Sequence, residues 1–199
     1  MLNNPFILLG KEIPEGKRTV LDLEVAKLHT RTTVKVPVII ERSLNPGPVV
    51  LLLAGIHGDE TNGVGIIREI IDLGINKPKK GTIICIPVFN IFGYLIQTRE
   101  FPDGRDLNRM FPGTLNGSLA SQFAYQFTKE IAPFVDYVID FHTGGGERDN
   151  IAQIRCSKHD EKALELAKVF NPPMIVFSNN ITKSLRDTLH KMGKTVLLF

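Results

Sequence analysis

Hydrophobic and polar positions alternate over residues 20–25, VLDLEV. Leu21, Leu23 and Val25 fall on one face and Asp22 and Glu24 on the other, the two-residue period of a half-buried strand. VKVPVII repeats the pattern with Val34, Val36, Val38 and Ile40, so the two segments predict an antiparallel pair, and Pro37 points to an edge position. PVVLLLA (48–54) is apolar throughout, as expected of a strand covered on both faces. GVGIIREIIDLGI then changes to helical spacing at Ile67, Ile70 and Ile71, and GTIICIPVFN reads as a second buried strand. Residues 91–117 show no period and hold the turns FPDG, FPG and LNG; a loop of that length in a compact domain is functional or disordered, and its Arg99, Arg105, Asp106, Asn108 and Arg109 favour function.

Leu119, Phe123, Phe127 and Ile131 mark a helix that stops near Pro133, followed by a strand, YVIDFHT (137–143), ending in three glycines. IAQIRC predicts a strand. Ser157, with Asp160 three residues on, predicts a capped helix that NPP ends. MIVF predicts a strand, and TKSLRDTLHKMG a helix with Leu185, Leu189 and Met192 on one face and Gly193 at its C-terminus. KTVLLF starts one more strand. Strands alternating with helices predict an α/β fold: a mixed, largely parallel central sheet with helices on both faces.

Composition narrows the function classes. The 199 residues suffice for one domain with a core, and 43% hydrophobic with 23% charged residues is ordinary for a soluble globular protein. A net charge of +3 gives no warrant for a nucleic-acid or membrane partner, and the basic cluster Lys77, Lys79 and Lys80 sits in NKPKKG, a solvated turn. Cys85 and Cys156 lie in apparent strands, outside any CxxC, as reduced core residues. MLNNPFILLG lacks the basic start of a signal peptide, and no apolar run approaches the ~18 residues of a membrane helix. A cytoplasmic protein is expected.

The chemistry concentrates where buried strands end. AGIHGDETNG (54–63) puts His57 and Glu60, spaced H-x-x-E, after the VVLLLA strand; His nitrogen and carboxylate oxygen are zinc donors. A catalytic zinc takes three protein ligands, and His142, at the end of another buried strand, is the candidate third. H-x-x-E alone is a weak signal, because polar turns often hold both residues. Asp140, two positions before His142, faces the same side of its strand and suits either a ligand-orienting or a structural role. TGGG (143–146) suits close approach to a ligand or a plain turn, and no P-loop signature accompanies it.

GIHGDE, then DLNRMFPG, then DFHTG, in this order and at this spacing, resemble the zinc carboxypeptidase-like superfamily and, within it, the succinylglutamate desuccinylase/aspartoacylase family, over about residues 20–199. The resemblance implies one Zn2+ per chain on His57, Glu60 and His142. It implies a substrate carboxylate held by Asn108 and Arg109, whose guanidinium fork matches a carboxylate. It implies Asp106 behind a zinc-binding histidine, and Arg99 as the catalytic arginine facing the carbonyl oxygen, with Arg105 as the competitor. The implied activity is zinc-dependent hydrolysis of an N-acyl amino acid, a small-molecule substrate, with homo-oligomer formation left open. The family's proton-shuttling glutamate is expected at or just past the end of GKTVLLF, and members continue into a smaller β-rich region. This sequence has no glutamate after Met174. A single catalytic domain over 1–199, truncated at its C-terminus and weakly active or inactive, is therefore expected; Glu147 and Glu130 are the substitutes it offers. The alternatives are a zinc carboxypeptidase acting on peptides and a non-catalytic zinc- or carboxylate-binding protein.

Overall fold

Backbone pairing begins with two short antiparallel strands, β1 (Ile7–Leu8) and β2 (Lys11–Glu12). The alternating segments follow as β3 (Arg18–Lys27) and β4 (Thr33–Arg42), an antiparallel pair whose inward positions Leu21, Leu23, Val36 and Val38 are buried. The chain continues through β5 (Val49–Ala54), α1 (Asn62–Asp72), β6 (Thr82–Ile86), α2 (Ile91–Ile96), a 3-10 turn at Leu107–Arg109, α3 (Leu119–Glu130), a second 3-10 turn at Ala132–Phe134, and β7 (Tyr137–Phe141). It ends with β8 (Ile154–Cys156), α4 (Glu161–Phe170), β9 (Ile175–Phe177), α5 (Leu185–Lys191) and β10 (Thr195–Leu198). The computed structural model describes residues 5–146 and 148–199.

Among the described residues β3 to β10 form one eight-stranded sheet in the order β3-β4-β6-β5-β7-β10-β8-β9. The β6–β5, β5–β7, β7–β10 and β8–β9 pairs are parallel, and the remainder antiparallel. The mixed, largely parallel α/β fold expected from the sequence is the one observed. β5 shows why its sequence has no polar position: Leu51 and Leu53 enter one core cluster, with α3 and α5, while Leu52 and Ala54 enter another, with Val64 and Ile67 of α1. α4 covers the same face as α1 through Ala163 and Ala167. Cys85 and Cys156 are buried and unbridged, and burial pushes the Cys85 thiol up to about 12.

Four details differ from the expected pattern. Residues 91–96 are helical rather than loop: Asn90 Oδ1 accepts from Gly93 N at 2.9 Å and starts α2, which IFGYLI hides because it has no amphipathic period and contains glycine. Asp160, not Ser157, caps α4, with its carboxylate on Ala163 N at 3.0 Å. Met192 lies past the end of α5 and is 37% exposed, so only Leu185 and Leu189 form its apolar face. β4 is interior to the sheet, but it pairs with β6 only over Ile39–Arg42, so Pro37 has β3 alone beside it and its missing N–H breaks no ladder with β6.

The long segment after α2 is held by aromatic packing. Phe101 stacks on Phe123 at 5.7 Å and meets Phe92 at 5.6 Å, whereas Phe111 packs on Phe127 at 6.1 Å and Phe89 at 6.4 Å. Both ends of the stretch from Arg99 to Arg109 are therefore sewn into the core through buried rings. Each such ring contributes on the order of 3–5 kcal/mol relative to alanine. Among the described residues no helix is long and apolar enough to cross a membrane.

Candidate metal centre

β5 and β7 run parallel in register, Ala54 opposite Phe141, so the turn after each opens at the same end of the sheet. That register brings His57 and Glu60 to His142. Glycine makes the first turn possible: a Cβ at Gly58 would lie 1.9 Å from the carbonyl carbon of Gly93, so the turn presses onto α2 as only glycine allows. After His142, Gly144 presses onto backbone in the same way and Gly145 onto a side chain. A Cβ at Gly145 would meet Asp59 Oδ2 at 2.7 Å, and Gly146 N donates to that oxygen at 3.2 Å.

One donor atom from each of His57, Glu60 and His142 lies within 4.8 Å of the others. Glu60 Oε1 is 2.8 Å from His57 Nδ1, and Glu60 Oε2 is 2.8 Å from His142 Nδ1. Thr143 N also donates to Oε2, at 3.1 Å. The outer ring nitrogens are each met by a further carboxylate: His57 Nε2 is 3.2 Å from Asp106 Oδ1, and His142 Nε2 is 2.9 Å from Asp140 Oδ2. This is a donor set that fits zinc. Two imidazoles turn Nδ1 toward a shared carboxylate while their Nε2–H groups face carboxylates that fix tautomer and ring orientation.

Burial and charge pull against each other. Burial would raise the Glu60 carboxyl, yet the hydrogen bonds and charges of His142 and His57 hold it well below the usual carboxylate range. Burial would lower His142, but Asp140 and then Glu60 push it up to about 10. Asp106 is likewise raised by burial and lowered further by His57 and Arg99, ending below its ordinary value.

Arg99 closes this side of the cluster. Its Nε and Nη2 donate to Asp106 Oδ2 at 3.2 and 2.9 Å, and Nη1 reaches Glu60 Oε1 at 3.4 Å. Arg105, the competing arginine, lies 4.0 Å from Asp103 with a 55% exposed side chain and does not line the pocket. Asp106 also caps the 3-10 turn through Asn108 N at 2.8 Å, which aims Asn108 and Arg109 into the pocket. Glu130, at the end of α3, pairs with Lys129 and does not line the pocket; Glu147 lies outside the described residues.

The pocket, a cavity of about 190 Å³, has walls that sequence reasoning did not single out: Asn150, Gln153 and Arg155 before and on β8, and Ile181 and Arg186 around α5. Arg186 is 7% exposed. Its Nη2 donates to Ser178 Oγ at 3.0 Å and Asn179 O at 2.8 Å, while Nη1 has no partner among the described residues. Burial lowers the pKa of its guanidinium. Among the described lining residues Glu60 is the one acidic side chain, against four arginines. β10 reaches the site as expected: Phe199 N donates to Asp140 O at 2.9 Å and His142 N to Phe199 O at 2.8 Å.

Comparison with known proteins bears on this geometry. The succinylglutamate desuccinylase/aspartoacylase catalytic domain matches residues 46–198. The N-alpha-acetyl-L-2,4-diaminobutyric acid deacetylase of Halomonas elongata is 31% identical over 169 residues, covering 81% of this chain and 49% of that protein. The chain thus spans about half the length of the curated relative it matches. Among solved structures, an aspartoacylase family protein from Mesorhizobium loti superposes with a TM-score of 0.81 at 28% identity, over 94% of this chain and 61% of that one. A product-bound ectoine utilization protein from Ruegeria pomeroyi gives 0.80 at 25% identity, over 100% and 63%.

Proposed function

The chain belongs to the succinylglutamate desuccinylase/aspartoacylase family, and from that premise we propose that it hydrolyses the amide bond of an N-acyl amino acid at one zinc ion held by His57, Glu60 and His142. The observation that carries the reading is the convergence of those three donors, each histidine backed by its own carboxylate, in a pocket that Asn108 and Arg109 also line. When bound, zinc supplies Lewis acidity, polarising a carbonyl and lowering the pKa of water. Asp106 and Asp140 hold the two imidazoles in the orientation that presents Nδ1. Arg99, tethered by Asp106, offers guanidinium N–H groups to the carbonyl oxygen as it gains charge. Arg109 and Asn108 hold the substrate carboxylate and so position the scissile bond.

Arg155 and Arg186, the lining arginines not engaged with the carbonyl oxygen or the substrate carboxylate, favour a substrate with an anionic or neutral side chain over one that, like the diaminobutyrate of the Halomonas elongata relative, carries an amino group. A cytoplasmic setting and a single catalytic domain over residues 1–199 belong to the same proposal, and the two free, buried cysteines suit it. A second reading, a zinc- and carboxylate-binding protein with little turnover, rests on the same geometry, since His57, Glu60 and His142 would hold a metal beside the Asn108–Arg109 pair whether or not the site turns over. The test is to assay zinc-loaded protein on N-acetyl and N-succinyl amino acids beside short peptides. Deacylation supports the first reading. Stoichiometric zinc and ligand binding without turnover selects the second, and preferential trimming of peptides would replace both with a carboxypeptidase.

A further inference from the structure

Leu185 is the first residue of α5, directly after the Ser184 cap. Its N–H is among the donors that a helix start leaves without an intrahelical acceptor. Asn108 Oδ1 accepts from it at 2.8 Å across 77 positions of chain, in a buried bond. An N–H is met only by the oxygen of a carboxamide, so this bond decides which way the Asn108 side chain faces. The oxygen is turned to α5, and the amide nitrogen with its two donors is what Asn108 has left for the pocket it lines.

We propose that the Leu185 N–H is a positioning group that makes the Asn108–Arg109 clamp selective for a carboxylate over the isosteric carboxamide. The inference rests on the reading of those two residues as the substrate clamp. With Asn108 locked, both clamp residues present donors only. A carboxylate meets them with acceptors on both oxygens, whereas a carboxamide must turn its own N–H₂ against one of them. Were Asn108 free to flip, it would offer its oxygen to that N–H₂ and the discrimination would fall. In the intact protein the flip also strands the Leu185 N–H in the core without an acceptor, which opposes it.

The junction is built to hold. Phe111 N donates to Lys183 O at 3.1 Å, so the segment bearing Asn108 is tied to the start of α5 at a second point. Ser184 Oγ accepts from Asp187 N at 3.1 Å, and Asp187 Oδ2 accepts from Lys183 N at 3.2 Å, bracing the turn from both sides.

Proline removes the N–H without forbidding the helix. It is accommodated at the first helical position, and Ser184 already has the extended backbone (φ −79°, ψ 163°) that a residue before proline adopts. Because Leu185 is fully buried, Leu185→Ala is the control that loses packing and keeps the N–H. The experiment measures dissociation constants of N-acetyl-L-alanine and N-acetyl-L-alaninamide for wild type, Leu185→Ala and Leu185→Pro at equal zinc load. The carboxylate-to-carboxamide preference is expected to persist in wild type and Leu185→Ala, and to fall about tenfold in Leu185→Pro, the worth of one charge-assisted hydrogen bond. An unchanged preference in Leu185→Pro overturns the inference and leaves the clamp standing; no preference in wild type overturns the clamp itself. Asn108→Asp checks the same geometry with the helix untouched. One oxygen keeps the Leu185 bond and the other turns an acceptor to the pocket, so the preference should reverse toward the carboxamide; a retained carboxylate preference overturns the inference.

Discussion

Glu60 Oε2 stands 2.8 Å from His142 Nδ1 although 82 positions of chain separate them. The contact exists because β5 and β7 are parallel neighbours in register. With His57 it gathers three ionisable groups in a nearly dry place, where a divalent cation would relieve the crowding of donors. His57→Ala and His142→Ala are each expected to reduce bound zinc from about one per chain to a trace, read by elemental analysis after gel filtration. Stoichiometric zinc in both variants would place the metal elsewhere. Chelation of the wild type should lower its Tm.

Asp140 touches the cluster only through His142 Nε2, and its side chain is fully buried. Asp140→Asn keeps the shape and removes the charge that orients the imidazole. Zinc affinity is expected to weaken about 10- to 100-fold, in a competition titration against a chromogenic chelator. Unchanged affinity would make Asp140 a structural carboxylate.

The sequence displayed what is local and hid what is assembled. His57 and Glu60 announce themselves by spacing, and Asp140 and His142 share a strand face two residues apart, so the period of a strand already aligns them. The alternation in β3 and β4 and the unbroken apolar run of β5 foretold which faces are covered. Arg186 carries no such signal. It occupies a polar position of a short helix and reaches the pocket only because α5 packs beside β10. Gln153 and Arg155 lie in the IAQIRC segment, whose pattern predicts a strand and says nothing of which site its polar positions face, and Asn150 lies just before it. The Leu185–Asn108 bond uses a backbone group, which no side-chain pattern encodes. α2 does not show in the pattern because what holds it, the Asn90 cap, the Gly58–Gly93 approach and the Phe92 ring on Phe101, follows no amphipathic period.

Phe111 follows the clamp by two residues and is almost fully buried against Phe89 and Phe127. Phe111→Ala should destabilise the fold by about 3–5 kcal/mol in denaturant titration. It should also weaken binding of an N-acyl amino acid more than it weakens zinc binding, because the ring anchors the Asn108–Arg109 turn and not the histidines. Equal losses of both would mean that the loop and the metal cluster move as one unit.

Asp187 gives the start of α5 an acid sensitivity. The hydrogen bond from Lys191 Nζ, 2.8 Å away, is the main cause of its lowered pKa; burial opposes it, and the Lys183 N–H adds to the lowering. A carboxyl depressed in the folded state contributes stability above its unfolded pKa near 4 and loses it as pH falls through the folded value. Asp187→Asn should therefore lower Tm at pH 7, and the gap from wild type should close as the pH is taken below about 4. A gap independent of pH would mean that the side chain acts through packing alone.

Arg99 and Arg105 separate position in the sequence from position in space. Both are arginines of one loop, six residues apart, and nothing in the chain's periodicity ranks them. Arg99 donates to Asp106 through two nitrogens and reaches Glu60 with a third, so its guanidinium is aimed before any substrate arrives. Arg105 points to solvent near Asp103. If Arg99 faces the oxygen that gains charge, Arg99→Ala should lower kcat on an N-acyl amino acid by about 10²–10³, with KM little changed. Arg105→Ala should leave both near the wild-type values. Ratios to wild type are compared, so a low absolute rate does not blur the result. Asp106→Asn should fall between the two in rate, since it loosens the tether without removing the donor, and combining it with Arg99→Ala should add little to the Arg99→Ala loss. Full additivity of the two would show that Asp106 acts on His57 alone, and an Arg105 effect as large as that of Arg99 would reverse the assignment.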